Sequence, residues 1–170
     1  FGIKDENKRI QNSIYSSAPF DDYLFNLHLR NNNEGYIVGL RSDTLSVEAQ
    51  TIKITAGSAS TVTNYPLYYL FTDVQFLNAD TGFITALDFN GSQILKTTNG
   101  GSTWTTTYTN LNDDMAGITF PTNQKGYAVG TGGTIVHTTN GGSNWVNTTS
   151  PTMDDLYAIS HLDSANMIAV

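Results

Sequence analysis

Apolar and polar residues alternate along this chain in short runs, and the runs return in the same order. Phe76-Leu77-Asn78-Ala79-Asp80-Thr81-Gly82-Phe83 and Phe120-Pro121-Thr122-Asn123-Gln124-Lys125-Gly126-Tyr127 each set an apolar residue, a polar turn, a glycine and an aromatic at matching intervals. Leu29 to Tyr36 repeats the arrangement, and His161 to Met167 keeps the spacing without the glycine. This reads as a strand, a hairpin turn whose glycine supplies positive φ, and a second strand that opens on an aromatic. In the best-kept copy the pattern predicts strands at 116–120, 126–130, 134–138 and 144–148, separated by Asn, Gly and Pro turns. No stretch shows convincing helical periodicity.

A second motif fixes the frame. Thr97-Thr98-Asn99-Gly100-Gly101-Ser102-Thr103-Trp104 returns as Thr138-Thr139-Asn140-Gly141-Gly142-Ser143-Asn144-Trp145, 41 residues further on. Residues 55–62 hold the same register with Val62 at the Trp place, and residues 3–10 hold it more loosely. A self-copy of this length marks a repeat whose single unit cannot bury its own apolar face. About forty residues and four antiparallel strands is the unit of a β-propeller blade. The expected fold is therefore all-β, a β-propeller or partial propeller of four-stranded antiparallel blades. It divides as 1–20 (end of a blade), 21–65, 66–110 and 111–152 (blades), and 153–170 (start of a blade). Either the chain is part of a larger propeller, or its two ends pair to close a four-bladed ring. The first is preferred, because only Phe1 to Lys4 remains to serve as a third strand for the closing blade.

The eight-residue motif resembles the Asp-box, or bacterial neuraminidase repeat, with Asn99 and Asn140 at the place usually held by Asp. With its Gly-Tyr/Phe strand upstream, it looks most like the photosystem II stability and assembly factor-like group of propellers. That resemblance is strong over 71–150. It implies a propeller of the kind often found in secreted or surface proteins. The residues suit a structural staple between third and fourth strands: an Asn side chain accepts N–H groups across the turn, the glycines take conformations closed to other residues, and the Trp folds back. Thr97, Asn99, Gly101, Trp104, Thr138, Asn140, Gly142 and Trp145 are accordingly assigned to structure and not to ligand binding.

Charge and composition narrow the function. Eight Lys and Arg against fifteen Asp and Glu leave a net charge of −7, which speaks against nucleic acid, whose binding needs a basic stripe. The absence of cysteine excludes disulfides, thiolate zinc sites and thiol nucleophiles. The chain starts at Phe1, and its first thirty residues hold no apolar run of signal-peptide length; the reading is a processed or partial chain without membrane insertion. Richness in Thr, Ser, Asn, Gly and Tyr fits a turn-rich β protein outside the cytoplasm: secreted, periplasmic or on the cell surface.

Asp21-Asp22, Asp113-Asp114 and Asp154-Asp155 are placed just before a unit's first strand, on the face opposite the boxes. Together with the variable second-to-third turns, including Asp88-Phe89-Asn90 and a longer irregular segment at 41–50, they define a candidate binding face: Asp22, Asp88, Phe89, Asn90, Asp114 and Asp155. The alternative is that Asp simply serves strand entry. No catalytic, cofactor-binding or metal-ligating residue is assigned. The three arginines, Arg9, Arg30 and Arg41, do not make a sialidase cluster, and His28, His137 and His161 lack metal-ligand spacing. The function expected is a non-enzymatic, extracytoplasmic scaffold for protein interaction and assembly. The alternative is a carbohydrate-active or carbohydrate-binding propeller, part of a glycoside hydrolase, with two carboxylates across a cleft.

Overall fold

A short polar side chain closes the first hairpin of every unit. The structure, a computed structural model, describes residues 21–31, 33–42, 47–56, 58–65, 70–88 and 91–170, with the backbone alone for 21–25, 41, 42, 47, 58–62 and 64. Asn31 Oδ1 accepts the N–H groups of Asn33 and Glu34 at 2.8 and 2.9 Å. Asn78 Oδ1 does the same for Asp80 and Thr81, Thr122 Oγ1 for Gln124 and Lys125, and Asp163 Oδ1 for Ala165 and Asn166. All four stand two places after the repeated apolar position, so the turn is an Asx or Ser/Thr turn made by the side chain.

The glycine that follows serves a different purpose from the one expected. Gly35, Gly82 and Gly126 do not have positive φ. They open the second strand with the preceding side chain lying on them: a Cβ on Gly82 would sit 2.7 Å from the Phe76 ring, and one on Gly126 only 2.5 Å from the Phe120 ring. The close approach of an aromatic face, not turn geometry, excludes a side chain there.

These hairpins extend into antiparallel sheets. In the first, β1 (Asp21–Asn31), β2 (Glu34–Ser42), β3 (Val47–Thr55) and β4 (Ser58–Tyr65) lie in sequence order. β5 (Leu70–Phe76), β6 (Gly82–Asp88), β7 (Gly91–Thr97) and β8 (Thr105–Asn110) form the second. The third holds β9 (Met115–Thr119), β10 (Gly126–Gly130), β11 (Ile135–Thr138) and β12 (Val146–Thr148), with a single 3-10 turn at Thr131–Gly133 between β10 and β11. β13 (Ile159–His161) and β14 (Met167–Ala169) pair as the start of a fourth.

Two expectations for the first unit are corrected. Residues 55–62 are not a relaxed box: Thr55 pairs directly with Ser58 across a tight turn carrying Ala56 at φ 51°, and Val62 is an ordinary strand residue opposite Ile52. The 41–50 segment is not irregular as a whole, because β2 runs to Ser42 and β3 begins at Val47. The expected box at 3–10 lies outside the described residues.

The core lies between sheets, as the repeat pattern requires. Val38 and Ala49 of the first sheet meet Phe71, Val74, Ile84 and Leu95 of the second. Ile94 of the second meets Met115, Ile118, Ala128 and Val136 of the third. A bulge at Thr72 in β5 turns Phe71 and Val74 onto one face although they are three residues apart. Aromatic rings then repeat the junction. Tyr36 stacks on Phe76 with Trp104 edge-on at 5.9 Å; Phe83 stacks on Phe120 at 4.2 Å with Trp145 edge-on at 5.8 Å. Each such pair adds about 1 kcal/mol beyond the area it buries. At the third junction Tyr127 instead stacks on His137 of its own sheet.

Candidate functional site

Each box is a hydrogen-bonded turn between the third and fourth strands of its sheet. Thr97 Oγ1 donates to Asn99 Oδ1 and accepts the Gly101 N–H, while Asn99 Oδ1 accepts the Thr103 N–H at 2.9 Å. In the second box Thr138 and Gly142 repeat the pattern, and Asn140 Oδ1 accepts the N–H groups of Ser143 and Asn144. Each box is also tied to its surroundings. Gly100 donates to Asp80 O and Gly141 to Gln124 O, joining the box to the first hairpin of its own sheet. Lys96 Nζ of the second sheet donates to Gly141 O at 2.6 Å, and Trp145 Nε1 donates to Thr107 Oγ1, joining the third sheet to the second.

On the opposite face the acidic residues are placed unequally. Asp113 Oδ2 accepts the Thr134 hydroxyl and Asp114 N–H donates to Thr131 Oγ1, so this pair leads into β9 as expected and clasps the β10–β11 turn. Asp155 Oδ1 reaches from the next unit to accept the Gly132 N–H at 2.9 Å, and its Oδ2 accepts the Tyr157 hydroxyl at 3.0 Å. That bond pushes the Tyr157 phenol up. Asp154 accepts the Thr152 hydroxyl. Asp88 accepts from Gln93 Nε2 within its own hairpin. Asp22 differs from expectation: it is the second residue of β1, opposite Arg41, and does not precede the strand; its side chain is outside the described part. Phe89 and Asn90 lie outside the described residues. Asp114 and Asp155 thus converge on one turn, and among the described residues no three His, Asp or Glu gather as a metal ion would need.

The first strands of successive sheets run side by side and line a polar cleft of about 580 Å³. Asp73 on β5 is its centre. Asn26 Nδ2 of β1 donates to Asp73 Oδ1 at 2.6 Å, the Val74 N–H donates to the same oxygen, and the Ile118 N–H of β9 donates to Oδ2 at 2.9 Å. One carboxylate thereby joins three sheets. Burial pushes its pKa up to about 6, against the three donors, which favour the charged form. Gln75 Oε1 accepts the Phe120 N–H across the same junction. His28 is held below its usual range by burial, opposed by a hydrogen bond to the Phe76 backbone. His161, in the slot of Phe76 and Phe120, turns into the cleft and bonds Thr119 Oγ1 at 2.7 Å. Exposed Tyr157 stands at the end of the same lining.

Asp73, Gln75, Asn26 and Thr119 were not singled out from the sequence, and His28 was weighed there only as a metal ligand. A signal was present: they fall one and three places before the repeated apolar residue at 29, 76 and 120. At the third copy the outer of these places is Gly117, where a Cβ would lie 3.1 Å from Ile159 N, so the β9–β13 junction closes by backbone approach.

Four-stranded antiparallel sheets stacked through their apolar faces, with first strands around a polar cleft, define a β-propeller of the Asp-box class, present among the described residues as three four-stranded sheets and one two-stranded sheet. A family model described as photosynthesis system II assembly factor YCF48 matches residues 53–165, and the chain belongs to that family. Among solved structures, one described as YCF48 bound to D1 peptide is 19% identical with a TM-score of 0.65, covering 89% of this chain and 49% of its own. YCF48 from Cyanidioschyzon merolae is 21% identical with a TM-score of 0.64, covering 90% and 51%. The chain spans about half the length of these structures, and at this identity the likeness is one of fold. No curated protein matches the chain.

Proposed function

We propose that the chain is a non-enzymatic scaffold that acts outside the cytoplasm and holds a segment of a partner protein during assembly. The observation that carries this reading is membership of the YCF48 family over 53–165; a solved relative described as bound to D1 peptide supports a peptide as the kind of ligand. Units at 21–65, 66–110 and 111–152 serve as blades, and the partner segment meets the face of Asp22, Asp88, Phe89, Asn90, Asp114 and Asp155. Hydrogen-bonding side chains on rigid strands suit an extended main chain, whose N–H and C=O groups need partners on burial.

The test is an array of overlapping peptides from the exported proteins of the source organism, read beside a glycan array with the full chain. Retention of discrete peptides, reduced by Asp155→Asn with Tyr157→Ala, is the expected result. Binding to glycans alone, or release of reducing sugar from a polysaccharide, would overturn the scaffold reading in favour of a carbohydrate-directed propeller. Fractionation of the source cells tests the location: the chain is expected outside the cytoplasm, and recovery with cytoplasmic markers would refute that part.

A further inference from the structure

We propose that Asn99 and Asn140 are sites of spontaneous deamidation that the folded boxes hold shut, so that conversion records the opening of an individual blade. Both asparagines precede glycine, in Asn99-Gly100 and Asn140-Gly141. In such a pair the glycine nitrogen is unshielded by a side chain. It attacks the asparagine Cγ, an N–Cγ bond forms, the bond from Cγ to the amide nitrogen breaks, and ammonia leaves. Water then opens the resulting succinimide at either carbonyl. The sum is asparagine plus water giving aspartate or isoaspartate plus ammonia, with no redox partner.

The structure opposes each part of the first step. Attack requires the glycine nitrogen to lose its proton and approach the side chain. Instead the Gly100 N–H is committed to Asp80 O and the Gly141 N–H to Gln124 O, both at 2.9 Å. The electrophile is equally tied. Asn99 Oδ1 accepts from the Thr97 hydroxyl and the Thr103 N–H, and its Nδ2 donates to Thr103 Oγ1 at 2.8 Å. Asn140 Oδ1 accepts from the Thr138 hydroxyl and the N–H groups of Ser143 and Asn144. Nor can the turn swing freely. Gly141 and Gly142 have φ of 64° and 70°, and the Gly142 α-carbon is wedged so close to Phe83 that a Cβ would fall 2.3 Å from the ring. Cyclisation therefore needs the box to leave its seat, an excursion smaller than global unfolding.

The two products differ in consequence. All three side-chain bonds of Asn140 go through Oδ1, and an aspartate supplies the same acceptor with charge-assisted strength. Isoaspartate carries an additional methylene in the main chain between Cα140 and the Gly141 nitrogen. It draws Gly141 off Gln124 O and Gly142 off Phe83, so it releases the staple that joins two blades.

The experiment is peptide mapping by mass spectrometry of the full chain incubated in mildly alkaline buffer, beside a synthetic peptide spanning 138–145. Conversion of Asn140 in the native chain is expected at least about a hundredfold slower than in the peptide, the ratio set by the rarity of opening. Thr138→Val removes the oxygen that serves Asn140 Oδ1, Asn140 N–H and Gly142 N–H. It should speed conversion at Asn140 about tenfold and leave Asn99 unmoved; Thr97→Val should do the reverse. Equal rates in chain and peptide, or a variant that leaves its own box unchanged, would overturn the proposal. Should either variant unfold the chain, urea below the unfolding transition of the wild type decides. Rates that climb with urea support opening of the box, and rates that stay flat refute it. Asn140→Asp should fold with an undiminished Tm, and a lowered Tm would refute acceptance of the aspartate product.

Discussion

Substituting Gly126 by alanine tests the claim that a ring, and not a turn, demands this glycine. Its φ is ordinary, so no backbone strain enters and the whole penalty is steric. The new Cβ would lie 2.5 to 2.7 Å from three atoms of Phe120, where ordinary contact begins at 3.4 Å. The ring is hemmed in, stacked on Phe83 at 4.2 Å and met edge-on by Trp145. Displacing it costs about 1–3 kcal/mol in overpacking, and loosening two aromatic contacts about 1 kcal/mol more, for a total of about 3 kcal/mol. The control is Phe120→Ala, which alone should cost about 3–5 kcal/mol. In that background Gly126→Ala should be neutral or stabilising by about 0.5 kcal/mol, because alanine orders a strand more cheaply than glycine. Urea unfolding followed by tryptophan fluorescence reads all four corners of the cycle. The reasoning fails if Gly126→Ala costs less than about 0.5 kcal/mol in the wild type, or costs the same in both backgrounds.

Three further outcomes are expected. Asp73 has its folded pKa raised from 3.8 to about 6, so the unfolded chain ionises first and stability falls as pH rises through this window, by about 3 kcal/mol at its limit. Asp73→Asn should flatten the urea midpoint between pH 4 and 7, and profiles parallel to the wild type would absolve this residue. Asp163 works oppositely. Its carboxylate is held below the usual range by Asn166 and the turn N–H groups, so its contribution is present above the unfolded pKa and is lost as pH falls through the folded one; Asp163→Ala should remove that acid-side loss without altering the neutral-to-alkaline profile. Gly142→Ala combines a φ of 70° with a Cβ 2.3 Å from Phe83. It should cost more than Gly126→Ala, about 4 kcal/mol, and a Tm within a few degrees of the wild type would contradict the staple.

The four-stranded antiparallel sheets and the tight turns at 97–104 and 138–145 were legible in the sequence because both rest on local rules repeated in register. The self-copied box with its Gly-Gly and the recurring order of apolar residue, polar turn, glycine and aromatic each speak for themselves. What escaped depends on neighbours. Whether Gly82 and Gly126 serve φ or make room for a ring depends on where Phe76 and Phe120 fall once Tyr36 and Phe83 stack on them. The centre of the cleft escaped for the same reason. Asp73 is unremarkable within its own strand, and only the arrival of Asn26 on one side and Ile118 on the other shows its place. The paired aspartates drew notice as a possible binding face, but a pattern of like charges carries no sign of commitment. Asp113 and Asp155 hold the β10–β11 turn, while the part of the face at Phe89 and Asn90 lies outside the described residues.

The junction in which Tyr36 meets Phe76, and Phe83 meets Phe120, bears on how such a chain lengthens. At these two joints one ring comes from the second strand of one unit and one from the first strand of the next, whose own Trp closes the joint. A tandem duplication of the second unit, which holds Phe76, Phe83 and Trp104, would therefore copy both halves of the joint together and supply the rings of a new contact at the seam. Drift is constrained by the same arithmetic. A substitution in one unit's second strand is judged by the first strand of the next, so neighbouring copies must change in step while distant ones are free to diverge.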